Sequence, residues 1–185
     1  CSDLIISRGI SKVVIGMRDP NKLVAGKGIE RLIDNNIEVE IGICEDEIRQ
    51  MNEIFLKYIT TKTPFCVMKT AMTLDGKIAT VSGESQWITG EGSRNYVHQI
   101  RHKLAAIMVG IGTVLADDPS LTTRVSGLKT ADPLRIIVDS KGRIPLTAKV
   151  LTLESNAKTM IATTSQMSHE KVAALEKLGA TVLMV

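Results

Sequence analysis

Two stretches of the chain gather side chains that a plain folding core would not need. Lys69 to Gly90, KTAMTLDGKIATVSGESQWITG, combines Lys69, a series of hydroxyls, a turn at Asp75-Gly76 and Trp87, the single tryptophan. It follows an apolar run, Phe65 to Met68, that reads as a buried strand, and a strand ending in polar loops is a platform for a ligand. Val109 to Arg124, VGIGTVLADDPSLTTR, has the same plan: an apolar strand, a glycine turn, a short helix and a polar loop ending in arginine. The two stretches read as walls of one site. In the second, Gly110 and Gly112 allow backbone amides to approach a ligand at the start of a helix expected over Thr113 to Ala116, and such an N-terminus favours anions. An ordinary strand-to-helix turn uses the same residues. Gly110-Ile111-Gly112 is also not the GxGxxG of a Rossmann turn, so that class of cofactor site is unsupported. Lys69 and Asp75 are further polar candidates, although Asp75 is explained by its Asp-Gly turn.

Metal chemistry finds little to work with. His98 and His102 are four apart on a helical stretch, a spacing able to chelate zinc, but no glutamate follows His98 and no third ligand is evident. They read as helix-face histidines. Three cysteines, Cys1, Cys44 and Cys66, share no spacing, which argues for a reducing, cytoplasmic setting over a disulfide framework.

Composition narrows the partner classes. At 185 residues and 44% hydrophobic content the chain holds one domain or two small ones with their own cores. No apolar run approaches the roughly 20 residues that span a bilayer, so no membrane partner is expected. Residues 1–64 hold 9 Lys+Arg against 10 Asp+Glu, and the remainder 14 against 10, so the second part leans towards anions. That excess falls short of a nucleic-acid stripe, and 3% aromatic content offers few stacking platforms. Small phosphorylated molecules fit the charge better.

Helices alternating with strands must position these residues. Cys1 to Arg8 reads as a helix closed by Gly9, Lys12 to Met17 as a buried strand, Gly28 to Asn35 as a helix, and Ile37 to Ile43 as a half-exposed strand. Ile48, Met51, Ile54, Phe55, Tyr58 and Ile59 have helical spacing, which predicts one helix from Glu45 to Ile59. Thr60 to Pro64, TTKTP, is the expected boundary, with a first domain over 1–62 and a second over 63–185. Beyond an opening hairpin, a helix is predicted over Glu91 to Lys103, strands over Ala106 to Gly110, Leu134 to Val138 and Thr159 to Thr163, a helix capped by Ser168 and stopped by Gly179, and a strand over Thr181 to Val185. The alternation implies an α/β fold with a largely parallel sheet.

Several long motifs, in one order, carry a specific resemblance over essentially the whole chain: CSDLIISRGI, DPN, VAGKGIERL, TAMTLDGKIAT, SQWITG, RHKLAAIMVGIGTVLADDPSLTTR and IIVDSKGRIP. In these the chain resembles the bifunctional deaminase/reductase family of riboflavin biosynthesis. The resemblance implies the C-terminal part of a cytidine-deaminase-like domain followed by the N-terminal part of a dihydrofolate-reductase-like domain. It implies NADPH as cofactor, with contacts at Ala71, Trp87, Thr113, Asp117 and Ser140, and a ribosylamino-pyrimidine phosphate as substrate, with contacts at Ser85, Arg101, Leu121 and Arg124. Arg101 and Arg124 suit a phosphate through charge-assisted, bidentate hydrogen bonds of about 1.5–3 kcal/mol each, and Trp87 offers a flat apolar wall. Taken alone they are a helix-surface arginine, a loop arginine and a core tryptophan.

The implied reaction is hydride transfer from NADPH to C1′ of the ribosyl group, which opens the sugar to a ribityl chain, and no general acid is assigned. The resemblance places Cys1 at the second cysteine of the deaminase zinc site, whose other ligands, a histidine and a cysteine, are expected upstream. It also implies a homo-oligomer. CSDLIISRGI has no initiator methionine and the last strand is abrupt, so the chain is expected to lack both ends of the family protein and to be marginally stable alone. Two other readings stand beside this one: a stand-alone dihydrofolate-reductase-like enzyme, and a non-catalytic piece that serves as scaffold.

Overall fold

The computed structural model describes residues 1–185, which divide into two compact units, Cys1–Thr70 and Ala71–Val185. In the first, α1 (Ser2–Ser7) leads to β1 (Lys12–Ile15), α2 (Lys27–Asp34) and β2 (Glu38–Ile41), followed by α3 (Glu45–Met51) and α4 (Glu53–Thr61). β1 and β2 pair in parallel with Lys12 opposite Glu38 and Ile15 opposite Ile41. Leu32 and Ile37 are the buried apolar residues of this unit.

The second unit carries α5 (Glu91–Lys103), β3 (Ala106–Gly110), α6 (Ile111–Asp117), β4 (Leu134–Val138), α7 (Lys149–Thr152), β5 (Thr159–Thr163), α8 (His169–Lys177) and β6 (Thr181–Met184). Its four strands are parallel in the order β3-β4-β5-β6, so each crossover adds the next strand to the same edge. β4 and β5 are central, with Ile137 and Ile161 fully buried and paired in register. Leu175 of α8, Ile144 and Val150 pack with them in one apolar cluster. Ser168 caps α8 by accepting a hydrogen bond from the Lys171 amide at 3.3 Å, and Gly179 leaves the helix in a left-handed conformation that glycine adopts without cost.

Four sequence expectations need correction. Phe65 to Met68 is not a buried strand: it is irregular, and Met68 is 89% exposed. An apolar run becomes a strand only where a neighbour accepts its backbone groups, and none does here. The opening hairpin is likewise reduced to its turns, at Thr73–Lys77 and Thr80–Glu84, with no flanking strands. Lys12 to Met17 is shorter and only half-buried, because β1 has a single neighbour in a two-stranded sheet. Glu45 to Ile59 is two helices broken at Asn52, whose backbone N–H and side-chain Nδ2 both donate to the Ile48 carbonyl, at 3.1 and 2.9 Å, and so close the first helix.

Candidate functional site

The basic face of α5 is the centre of the site. Arg94, His98 and Arg101 recur at i, i+4 and i+7, which places them on one side of the helix. At the N-terminal end, the Arg94 guanidinium lies 4.7 Å from the Trp87 ring centroid and donates to the Thr89 carbonyl at 2.5 Å. Trp87 is therefore not a core tryptophan; it is 70% exposed, with a cation on one face. At the other end, Arg101 Nη1 donates to the Thr122 carbonyl at 2.5 Å, and His98 Nδ1 accepts the Arg124 backbone N–H at 3.2 Å. α5 thus joins SQWITG on one flank to DPSLTTR on the other.

The loop after α6 is held in a specific shape. Asp118 and Leu121 both have positive φ, 38° and 54°. For leucine the left-handed region costs about 1–2 kcal/mol, which burial of its side chain to 7% exposure helps to offset. Asp118 accepts from the Lys149 amide at 2.8 Å, and Asp132 accepts from the Thr123 amide at 2.8 Å and from Ser155 Oγ at 2.7 Å. These bonds present Arg124 to solvent beside Arg101.

The electrostatics of this corner are one-sided. Arg94, Arg101 and Arg124 have no carboxylate at ion-pair distance. Burial, and then the Arg124 charge, lower the pKa of Arg101, against an opposing pull from Asp132. Burial, then Arg101 and Arg124, lower that of His98. Arg101 Nε is buried without a partner. Two close guanidiniums and a spare donor make a place for an anion.

A second group lies along the C-terminal ends of the strands. Gly110 of β3 pairs with Val138 of β4, so the start of α6 and Ser140 share one sheet edge. α6 begins at Ile111 with Gly110 as its N-cap, two residues before the expected Thr113, because the chain turns into helix directly from the strand. A Cβ added at Gly110 or Gly112 would meet nothing within 4 Å, so the space over this turn is open to an incoming group. Thr113 and Asp117 are exposed on α6, and Ser140 is exposed with its carbonyl accepting from Thr164 Oγ1 at 2.9 Å. Ser85 and Ala71 are half-buried in the irregular segment before α5, and neither is hydrogen-bonded to the other candidates.

Residues 64–185 match the RibD C-terminal domain. The chain belongs to this family. The riboflavin biosynthesis protein RibD of Actinobacillus pleuropneumoniae is 49% identical over 184 residues, covering 100% of this chain and 48% of that protein, and the RibD of Aquifex aeolicus is 44% identical with 100% and 51% covered. An Acinetobacter baumannii RibD structure superposes with a TM-score of 0.87 at 39% identity, over 100% of this chain and 51% of that one. A Thermotoga maritima structure, described as a diaminohydroxyphosphoribosylaminopyrimidine deaminase/5-amino-6-(5-phosphoribosylamino)uracil reductase, gives 0.81 at 37%, with 100% and 56% covered. The chain spans about half the length of the curated relatives it matches.

The RibD assignment agrees with the α/β architecture and parallel sheet, and the match to the reductase domain falls on the unit that holds the basic face. Zinc finds no such support among these residues: no three His, Cys, Asp or Glu side chains converge, and Cys1 is exposed. His98 and His102 do not act as a pair, since His98 already accepts from Arg124. Sequence reasoning passed over Arg94 and dismissed His98. The i, i+4, i+7 recurrence of basic residues through RNYVHQIR was the available signal, and it gains meaning only when Trp87 and the Arg124 loop arrive on the same face.

Proposed function

We propose that this chain carries the core of the reductase site of a RibD protein, for the NADPH-dependent reduction of 5-amino-6-(5-phosphoribosylamino)uracil to the ribitylamino compound in riboflavin biosynthesis. The observation that carries the reading is the pair Arg101 and Arg124, neither with a carboxylate at ion-pair distance, in a domain of this family that also carries an open glycine turn at Gly110–Gly112. The two arginines hold the substrate phosphate, with Ser85 and Leu121 shaping the same wall. Trp87, Ala71, Thr113, Asp117 and Ser140 take the cofactor: the indole as an apolar wall, the hydroxyls and the Asp117 carboxylate as hydrogen-bonding groups at the open sheet edge. NADPH, when bound, supplies the hydride that reduces C1′ of the ribosyl group. The protein's task is to align the two ligands and exclude water around them.

In this reading residues 1–62 belong to a deaminase domain and 63–185 to the reductase domain. The whole protein adds zinc-dependent deamination of the pyrimidine precursor and works as a cytoplasmic homo-oligomer. A stand-alone dihydrofolate-reductase-like enzyme is disfavoured, because RibD relatives align along the entire chain, residues before the reductase match included.

The test is an NADPH titration followed by Trp87 fluorescence, with calorimetry on Trp87→Phe as a check. Saturable binding, and transfer of deuterium from 4-deuterated NADPH to C1′ when substrate is added, is the expected result. Solvent deuterium at C1′ would sink the direct transfer, and absence of binding would remove the cofactor site from these residues.

A further inference from the structure

His98 feels the charge of two guanidiniums, Arg101 and Arg124, and yet makes one directed contact, to a backbone N–H 26 residues away. Around it, three consecutive residues of the loop are held from three sides: the Thr122 carbonyl by Arg101, the Thr123 amide by Asp132 and the Arg124 amide by His98. Arg101 and His98, three apart on α5, therefore grip the residues on either side of Thr123.

We propose that His98 is a positioning residue for the anion site, its Nδ1 fixing the Arg124 backbone so that the Arg124 and Arg101 side chains converge on one phosphate monoester. This rests on the reading above, that these arginines take the substrate phosphate. The contact needs Nδ1 without a proton, because a protonated Nδ1 is a donor and cannot accept the Arg124 N–H. The surroundings favour that state: the histidine is partly buried, Arg101 faces it from its own helix and Arg124 from the loop, and both arginines oppose a third positive charge. With the anchor removed, Arg124 would have to be ordered when the anion binds, and affinity falls by that ordering cost.

The test uses ribose 5-phosphate as probe, titrated by NMR into the isotopically labelled chain and its His98→Asn, His98→Leu and Arg124→Ala variants. Asparagine offers an oxygen near the Nδ1 position and is expected to stay within about threefold of wild type, whereas His98→Leu, similar in bulk but without an acceptor, loses about tenfold, the equivalent of 1.4 kcal/mol. In the wild type, long-range proton–nitrogen spectra are expected to show an unprotonated Nδ1, and the Arg124 amide to be protected from exchange. A folded His98→Leu that binds as tightly as wild type, while Arg124→Ala does not, overturns the positioning role alone. Wild-type strength in Arg124→Ala, or no saturation in the wild type, overturns the site reading and this inference with it. Should His98→Leu fail to fold, the wild-type spectra decide, and a proton on Nδ1 refutes the proposal.

Discussion

Asp139 offers the sharpest quantitative test of how the candidate cofactor edge is held. It is fully buried at the end of β4, immediately before Ser140, and its Oδ2 accepts the N–H of the equally buried Ile144 at 2.8 Å. Its carbonyl accepts from Thr163 Oγ1 at 2.8 Å, while Oδ1 is buried without a partner. Asp139→Ala removes a hydrogen bond to a carboxylate, worth about 1.5–3 kcal/mol, and strands a buried N–H whose desolvation costs about 1–3 kcal/mol. These terms overlap, and release of the unpaired Oδ1 offsets part of them, so the expected net loss is about 2–3 kcal/mol. For a chain of this size that lowers Tm by roughly 4–12 °C. Asp139→Asn keeps an oxygen for Ile144 and forfeits only the charge, so its loss should be about 0.5–1.5 kcal/mol. Urea denaturation and thermal melts of the three proteins measure both values. An alanine variant within 0.5 kcal/mol of wild type, or an asparagine variant as damaged as the alanine one, would refute the claim that this bond holds the turn.

Ile161, fully buried on the central strand β5, is expected to cost about 2–5 kcal/mol when cut to alanine, against well under 1 kcal/mol for Val14→Ala on half-exposed β1, by the same urea measurement. His98 gives a pH dependence whose sign follows from its lowered pKa. Below the ordinary histidine value of 6.5 the unfolded chain takes up a proton that the folded site resists, under the pressure of burial, Arg101 and Arg124. Its stabilising share is therefore complete above pH 6.5 and declines as the pH falls below that value. The stability difference between wild type and His98→Asn should shrink on acidification, and a difference unchanged across that range would contradict the assignment.

The residues alone determine much of the second unit. Glu91–Lys103 and the strands Ala106–Gly110, Leu134–Val138 and Thr159–Thr163 lie where caps and apolar runs place them, because periodicity and capping act over a few neighbouring residues. The cap at Ser168 and the stop at Gly179 are equally local. Tertiary structure decided the rest. Phe65 to Met68 has the composition of a strand but no partner for its backbone, and pairing is a property of two segments. Trp87 has the composition of core and sits in solvent against Arg94. Above all, the basic face of α5 is three unremarkable helix residues until the loop after α6 folds back, through two positive-φ residues and Asp132, to set Arg124 beside them. Contact between residues 26 apart, His98 and Arg124, is a matter of distance in space, which no local pattern encodes.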